Sequence, residues 1–304
     1  MSIERIDLAL NSIYSTRRFE AQQDYEKRLA DALKNAEFNN LYLEHRKLSL
    51  EKLKNNKDAI NKDKEVSSKL LKLIQDNNID LNIYYACPKC KDTGMVNGKP
   101  CECKIKLLKK LLRDEANLPK FATSTFETNK FDSISSKQSK KMSAVYADCK
   151  RWADNLDSAR KRIVFLMGNV GVGKTTLAFS VANTVLDKGQ SVYYTTAFDL
   201  ATMLVDRQFN RLVDLDKYDN MLSSELLIID DLGSEPQNVI AIENLFAILD
   251  SRINSNRKTM ILTNLTLEQF AKRYGERSLS RLTSVEFSYV PSYIAGDDLR
   301  KIKC

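Results

Sequence analysis

Between Met1 and Ala86 the chain has neither glycine nor proline, and apolar side chains return every three or four residues, as at Tyr25, Leu29 and Leu33 and again at Val66, Leu70 and Ile74. That period puts them on one helix face, so the region is predicted to be helical. Asparagine pairs are the expected breaks, at Asn39-Asn40, Asn55-Asn56 and Asn77-Asn78. They would leave three or four helices packed as hairpins or a bundle. A further short helix, Lys104 to Arg113, is basic and amphipathic, and Pro119 ends it. Pro119 to Ser139 reads as a linker lying across the domain that follows, and it carries Phe121, Phe126 and Phe131. Such aromatics are packing anchors or part of a base pocket. After a helix near Met142 to Leu156, apolar runs alternate with helical stretches: Ile163 to Met167, Ser191 to Thr195, Leu226 to Ile229, Met260 to Thr263 and Val285 to Val290. Apolar strands separated by helices predict a parallel sheet, hence an α/β domain.

The pattern divides the chain into a helical partner-binding module at residues 1–86, a cysteine knuckle at 87–104, a basic helix and linker at 105–160, and a nucleotide-binding domain at 161–304. A length of 304 residues fits about two domains, and 43% hydrophobic content supplies a core. No apolar run approaches the roughly 20 residues of a membrane span, and the acidic residues near Met1 argue against a signal peptide. A cytoplasmic protein with no membrane partner is expected. The net charge of +8 suits a polyanionic partner. The one histidine, His45, lies between Glu44 and Arg46 and is expected at a solvated helix position.

Six cysteines in a cytosolic chain point to metal rather than disulfides if their spacing is that of ligands. Cys87 and Cys90 form a C-x-x-C, and ten residues beyond it Cys101 and Cys103 form a C-x-C, with Gly94, Gly98 and Pro100 between. Four thiolates on two tight turns can close a tetrahedral zinc site. Four free thiols and an iron–sulfur cluster remain as alternatives. Cys149 and Cys304 lack partner spacing and are expected to be a half-buried thiol and a tail residue.

The strand Ile163 to Met167 runs into Gly168-Asn169-Val170-Gly171-Val172-Gly173-Lys174-Thr175-Thr176 and then into a helical run. This is G-x-x-x-x-G-K-[ST] in strand–loop–helix context, the pattern of a phosphate-binding P-loop for ATP. The glycines let the backbone turn so that successive N–H groups face phosphate oxygens, and the helix N-terminus adds its positive end. Lys174 would reach the β and γ phosphates, and Thr175 would offer its hydroxyl to Mg²⁺. Leu226 to Ile229 leads into Asp230 and Asp231 at the carboxyl end of a buried strand, where ligands of open α/β sheets bind. Asp230 would hold Mg²⁺ through water, and Asp231 could polarise an attacking water. The fourth strand ends in Thr263-Asn264, and Asn264 is either a side chain that orients that water or a helix N-cap or turn residue. Further on, Arg277 and Arg281 lie four apart on one helix face.

Taken in order, GNVGVGKTT, LLIIDDLGSE, ILTN, YGERSLSRL and the closing GDDLR resemble the DnaC/DnaI-type bacterial replicative helicase loaders of the AAA+ class, over about residues 115 to 304. The cysteine element is similar to the knuckle of Gram-positive loader relatives. The resemblance implies an AAA+ P-loop ATPase that binds ATP and single-stranded DNA, with an N-terminal domain that holds the hexameric replicative helicase and a homo-oligomeric ring or spiral on it. It also implies residue roles. Lys174 and Thr175 correspond to Walker A, Asp230 and Asp231 to Walker B, and Asn264 to sensor 1. Arg281 corresponds to the arginine finger, with Arg277 as the second candidate. The family's extra helical element falls on Phe198 to Ser224, where Arg207, Phe209 and Arg211 suit single-stranded DNA. Two departures stand out: Asp231 replaces the usual Glu, so hydrolysis is expected to be slow, and the chain ends soon after Val290, leaving Arg300 as the one candidate for sensor 2. An IstB-type transposition helper shares nearly the same core, and a zinc-containing DNA-binding adaptor with little turnover is the reading from a different class.

Overall fold

The computed structural model describes residues 3–52, 57–128, 136–209, 215–296 and 298–299. Two compact units are present, residues 9–104 and residues 105–304 together with 1–8.

The first unit is built on α1 (Ile3–Ala32) from Ala9 onward, α2 (Ala36–Lys52) and α3 (Lys57–Asp76). Leu48, Ala59 and Val66 form a small α2–α3 core with Leu41 against it. The first break differs from the expected one. Asn39 and Asn40 lie inside α2, and the chain turns at Leu33 to Asn35 instead. Asn35 Oδ1 accepts from the Glu37 and Phe38 N–H groups at 3.0 and 3.1 Å, satisfying amides that the new helix leaves without partners. Asn55 and Asn56 fall outside the described residues. At Asn77-Asn78 the break occurs as the sequence suggests: Asn78 adopts φ +51°, and Ile79 N–H donates to Ile74 O at 2.9 Å, a left-handed helix stop.

His45 is not a freely solvated side chain. Its Nδ1 lies 2.7 Å from Asp63 Oδ1 on α3 and 3.3 Å from Ser67 Oγ, while Lys52 pairs with the other Asp63 oxygen. Asp63 is buried, so its carboxylate survives there only because both oxygens are partnered. Beyond α3 a hairpin of β1 (Met95–Val96) and β2 (Lys99–Pro100) pairs antiparallel, and α4 (Glu102–Glu115) follows.

In the second unit α5 (Ser136–Asp154) precedes β3 (Ile163–Met167), α6 (Lys174–Asp187), β4 (Val192–Thr196), α7 (Ala197–Gln208), α8 (Leu215–Ser223) and β5 (Leu226–Leu232). Then come α9 (Val239–Asn254), β6 (Lys258–Thr263), α10 (Leu267–Tyr274), α11 (Glu276–Leu282) and β7 (Ser288–Tyr289). The five strands β3 to β7 form one parallel sheet in the order β4-β5-β6-β3-β7, the AAA+-type arrangement. β3, β5 and β6 lie inside it and are buried nearly throughout, which is why they read as continuous apolar runs. The last strand is shorter than the expected Val285 to Val290: Val285 is 88% exposed, and only Ser288 and Tyr289 pair with β3. After β3 the chain passes to β4 at the sheet edge and works back through β5 and β6. The strand order therefore reverses beside β3, and the crevice for a ligand opens at its carboxyl end.

One buried charge ties the region between β4 and β5 to this frame. Arg252 of α9 is 1% exposed. Its guanidinium donates to Met221 O at 2.8 Å and Leu222 O at 3.1 Å at the end of α8, and to Lys258 O at 2.6 Å and Thr259 Oγ1 at 3.1 Å on β6. Carbonyls orphaned at a helix end thus meet a donor fork that lies buried.

Candidate functional site

β3 delivers the chain into a loop that must turn sharply, and Gly171 and Gly173 take φ +79° and +94° there, conformations that an L side chain resists. Gly168 serves differently. A Cβ on it would stand 2.6 Å from Ile294 O, so its bare backbone admits a second strand of chain. That strand is the segment after β7: Ile294 N–H donates to Met167 O at 2.8 Å, Asn169 N–H to Ile294 O at 3.0 Å, and Leu299 N–H to Gly171 O at 2.9 Å. Tyr293 OH adds a bond to Asn169 Oδ1 at 3.0 Å. The strap braces the loop from behind. Val172 is fully buried and pins it from within, whereas Val170 is 56% exposed at its tip. The N-cap of α6 is Gly173, which makes no side-chain cap to the first turn, an arrangement that suits an anion at the helix N-terminus.

The loop forms one wall of a cleft of about 670 Å³ at the carboxyl ends of the strands, lined by Lys174, Thr175, Thr176, Asp230, Asp231 and Asn264 among others. Lys174 is only 8% exposed, and its Nζ lies 2.7 Å from Gly168 O, 2.8 Å from Asn169 O and 2.7 Å from Asn264 Oδ1. The Asn264 amide continues the chain by donating to Asp231 Oδ1 at 2.8 Å. Asn264 is not a helix cap, because Thr266 and Gln269 close the start of α10 as a reciprocal capping box. β5 extends past the expected Ile229 through both aspartates, and its pairing with β6 slips between Ile229 and Leu232. Asp231 takes φ +61° there, a left-handed conformation that Asp tolerates better than most residues.

Asp230 is 7% exposed. Burial pushes its carboxyl above the ordinary aspartate range, opposed by hydrogen bonds from Thr175 and Tyr194. Tyr194 OH donates to Asp230 Oδ2 at 3.0 Å. At the other end of the cleft Phe121, 75% exposed, stands edge-on to Phe179 with ring centres 6.0 Å apart. Asn183 Nδ2 holds the linker in place through Ala122 O at 3.0 Å and Ser124 O at 2.8 Å. Phe126 instead packs on Tyr146, and Phe131 falls outside the described residues.

Arg277 and Arg281 lie on α11 and do not line this cleft. Arg281 pairs with Asp250 of α9. Of the residues singled out between β4 and β5, Arg207 lies over the Tyr218 ring at 3.5 Å and Phe209 is 58% exposed, while Arg211 lies outside the described residues, as does Arg300.

In the other unit the Sγ atoms of Cys87, Cys90, Cys101 and Cys103 all lie within 4.8 Å of one another. Cys87 and Cys101 are 3.8 Å apart and Cys90 and Cys103 3.4 Å. A zinc tetrahedron with bonds of about 2.3 Å has edges near 3.8 Å, so the donor set fits. The buried Asp92 carboxylate accepts from the Ala86 and Cys87 N–H groups at 2.7 and 2.9 Å, and Tyr14 OH lies 3.3 Å from Cys103 Sγ. Neither contact is signalled by the cysteine spacing. Cys149 is fully buried rather than half-buried, and burial pushes its thiol up to about 12. Cys304 falls outside the described residues.

Sheet order and cleft define an AAA+-class P-loop protein. The chain belongs to the family of IstB-like ATP-binding proteins, whose sequence model matches residues 105–283. In sequence it is similar to DnaC helicase loaders. The replicative helicase loader DnaC of Escherichia coli (strain K12) is 30% identical over 145 residues, 44% of this chain and 59% of that protein. DnaC of Buchnera aphidicola subsp. Schizaphis graminum is 25% identical over 163 residues, 51% of this chain and 66% of that protein. Among solved structures, that of the DnaC helicase loader covers 57% of this chain and 99% of its own at 23% identity and a TM-score of 0.48. The matched part thus spans about three-fifths of the E. coli relative's length. Among the described residues no helix is long and apolar enough to cross a membrane.

Proposed function

We propose that this protein is a cytoplasmic, ATP-dependent loader that delivers the hexameric replicative DNA helicase onto single-stranded DNA. The observation that carries the ATP-driven part is the convergence of Lys174, Thr175, Asp230, Asp231 and Asn264, from three separate strand ends, on one cleft behind an uncapped helix N-terminus. The loader part rests on similarity to proteins named replicative helicase loaders. On this reading the amides of Gly168 to Thr176 cradle the phosphates and Lys174 faces the β and γ groups. Thr175 and Asp230 hold Mg²⁺, which would offset phosphate charge, and Asn264 and Asp231 orient the attacking water. Arg281, or Arg277 in its place, acts on a neighbouring protomer's nucleotide within a ring or spiral. Cys87, Cys90, Cys101 and Cys103 hold a structural zinc that cross-links the knuckle. Residues 1–86 carry the helicase-binding surface, and residues 161–304 form the ATPase domain.

Co-purification with the replicative helicase, with and without ATP, is the test. Retention of the helicase supports the loader. A second reading, the IstB-type transposition helper, draws on the family match itself, and absence of helicase together with retention of a transposase would favour it. DNA binding without ATP turnover would favour the adaptor, in keeping with the short Asp231 carboxylate.

A further inference from the structure

Tyr194 stands on the edge strand β4, whose neighbour β5 carries Asp230. Tyr194 is 9% exposed and Asp230 is also buried, and their hydrogen bond is 3.0 Å long. The donor is held from three directions. Tyr194 N–H donates to Ala116 O at 2.9 Å, Asn117 Nδ2 donates to Tyr194 O at 2.9 Å, and the ring leans on Phe179 with centres 5.5 Å apart. A phenol so fixed leaves its hydroxyl little choice of acceptor.

We propose that Tyr194 is a positioning residue for the metal of the nucleotide site: by engaging Asp230 Oδ2 it sets the plane of that carboxylate so that the remaining oxygen and the Thr175 hydroxyl face one Mg²⁺. The inference rests on the proposed reading of the cleft as a magnesium–nucleotide site. Mg²⁺ demands near-ideal octahedral geometry, so a carboxylate free to rotate is a poor ligand, and a buried hydrogen bond to an ionised oxygen is stronger than a neutral one. The contact with Phe179 is made by the ring, and the bond to Asp230 by the hydroxyl alone. The hydroxyl has a use that packing does not explain.

The test compares the full chain as wild type, Tyr194→Phe and Asp230→Asn. Tyr194→Phe keeps the ring and removes one oxygen. Binding of a fluorescent ATP analogue is measured in EDTA and then across a Mg²⁺ titration, and Mn²⁺ bound to the protein–ATP complex is followed by electron paramagnetic resonance. Tyr194→Phe should bind the analogue in EDTA as the wild type does, yet need roughly tenfold more Mg²⁺ for half its effect and hold Mn²⁺ correspondingly less well, the size seen when a hydrogen bond behind a metal ligand is lost. Equal weakening in EDTA and in Mg²⁺ would mean a merely structural tyrosine and overturn the proposal. So would an unchanged Mg²⁺ midpoint in Tyr194→Phe while Asp230→Asn shifts it. If Asp230→Asn leaves the midpoint unmoved as well, the reading of the cleft fails together with the role of Tyr194.

Discussion

Replacing Arg281 by alanine separates two effects of very different size. Within the protomer its guanidinium pairs with Asp250, and the two side chains are 41% and 36% exposed. A pair so open to solvent contributes at most about 1 kcal/mol, and for a domain of this size a loss of that order lowers Tm by about 2–4 °C. A guanidinium that reaches a phosphate in the transition state is worth about 10³ to 10⁵ in rate, or about 4–7 kcal/mol. Arg281 does not line the cleft of its own chain, so a catalytic effect has to arise in trans. Arg281→Ala is therefore expected to fold and bind ATP like the wild type while losing the hydrolysis that assembly stimulates. Lys174→Ala is expected to lose nucleotide binding at its own cleft yet still present an intact Arg281. Mixing the two inactive variants, with DNA and helicase present, should restore part of the phosphate release, since some interfaces then join an intact P-loop to an intact arginine. Wild-type turnover by Arg281→Ala alone would refute the assignment and move attention to Arg277, one turn earlier on α11. If both are dispensable, the ring or spiral assembly loses its main residue-level support.

Lys174→Ala removes a cation at whose position three acceptors stand within 2.8 Å; at about 1.5–3 kcal/mol for one hydrogen bond to a charged group, affinity for a fluorescent ATP analogue should fall at least tenfold, and unchanged affinity would refute the P-loop reading. Purified protein should carry one zinc per protomer, and chelation should unfold the knuckle while the melting of the ATPase domain stays; a protein free of both zinc and iron would contradict this. Single-stranded DNA should bind more weakly as salt rises, and an oligonucleotide titration without binding at low salt would exclude that partner. The hydrogen bond from Lys52, then that from His45, holds the Asp63 carboxyl below its ordinary 3.8. A depressed carboxyl stabilises the fold above the unfolded value and loses that contribution as pH falls through the folded one. Melting of the α2–α3 pair between pH 5 and pH 2 should therefore show an acid limb that Asp63→Asn flattens.

What could be seen beforehand follows how far each interaction travels along the chain. The P-loop is nine consecutive residues, and the apolar runs of β3, β5 and β6 announce buried strands, so the sheet and the loop were legible. Asp230 and Asp231 were legible because the end of an apolar strand is itself a position in the fold. Tyr194 was not. A tyrosine in a strand reads as core, and its bond to Asp230 exists only because β4 and β5 pair in a register that sets Thr196 beside Asp230. The strap contacts of Ile294 and Leu299 were hidden for the same reason, since their partners Met167, Asn169 and Gly171 lie more than a hundred residues upstream. The misplaced turn at Asn39-Asn40 has a local cause: Asn35 can cap two free amides, whereas a pair of asparagines in mid-helix costs only a few tenths of a kcal/mol each. His45 was misjudged because its charged neighbours in sequence say nothing of Asp63, eighteen residues away on another helix.

The chain Lys174–Asn264–Asp231 bears on how slow hydrolysis and nucleotide binding could be joined. Gly168 O, Asn169 O and Asn264 Oδ1 are among the acceptors at hydrogen-bond distance from the Lys174 ammonium. Two are loop carbonyls fixed by the strap behind them, whereas the third, Asn264 Oδ1, belongs to a side chain that can turn. On the proposed reading a γ-phosphate competes for Lys174 most readily against that third acceptor. The amide has only one orientation per rotamer, so when its oxygen leaves Lys174 its Nδ2 also changes what it gives to Asp231. Occupancy at the phosphate end would thereby reset the carboxylate assigned to the water. Asp231 is one methylene shorter than Glu and sits on a left-handed backbone, so on the proposed reading the direction in which its carboxylate is held bears on whether it meets the water. On that reading Asn264 is the joint between the two motifs, since its amide accepts from Lys174 and donates to Asp231.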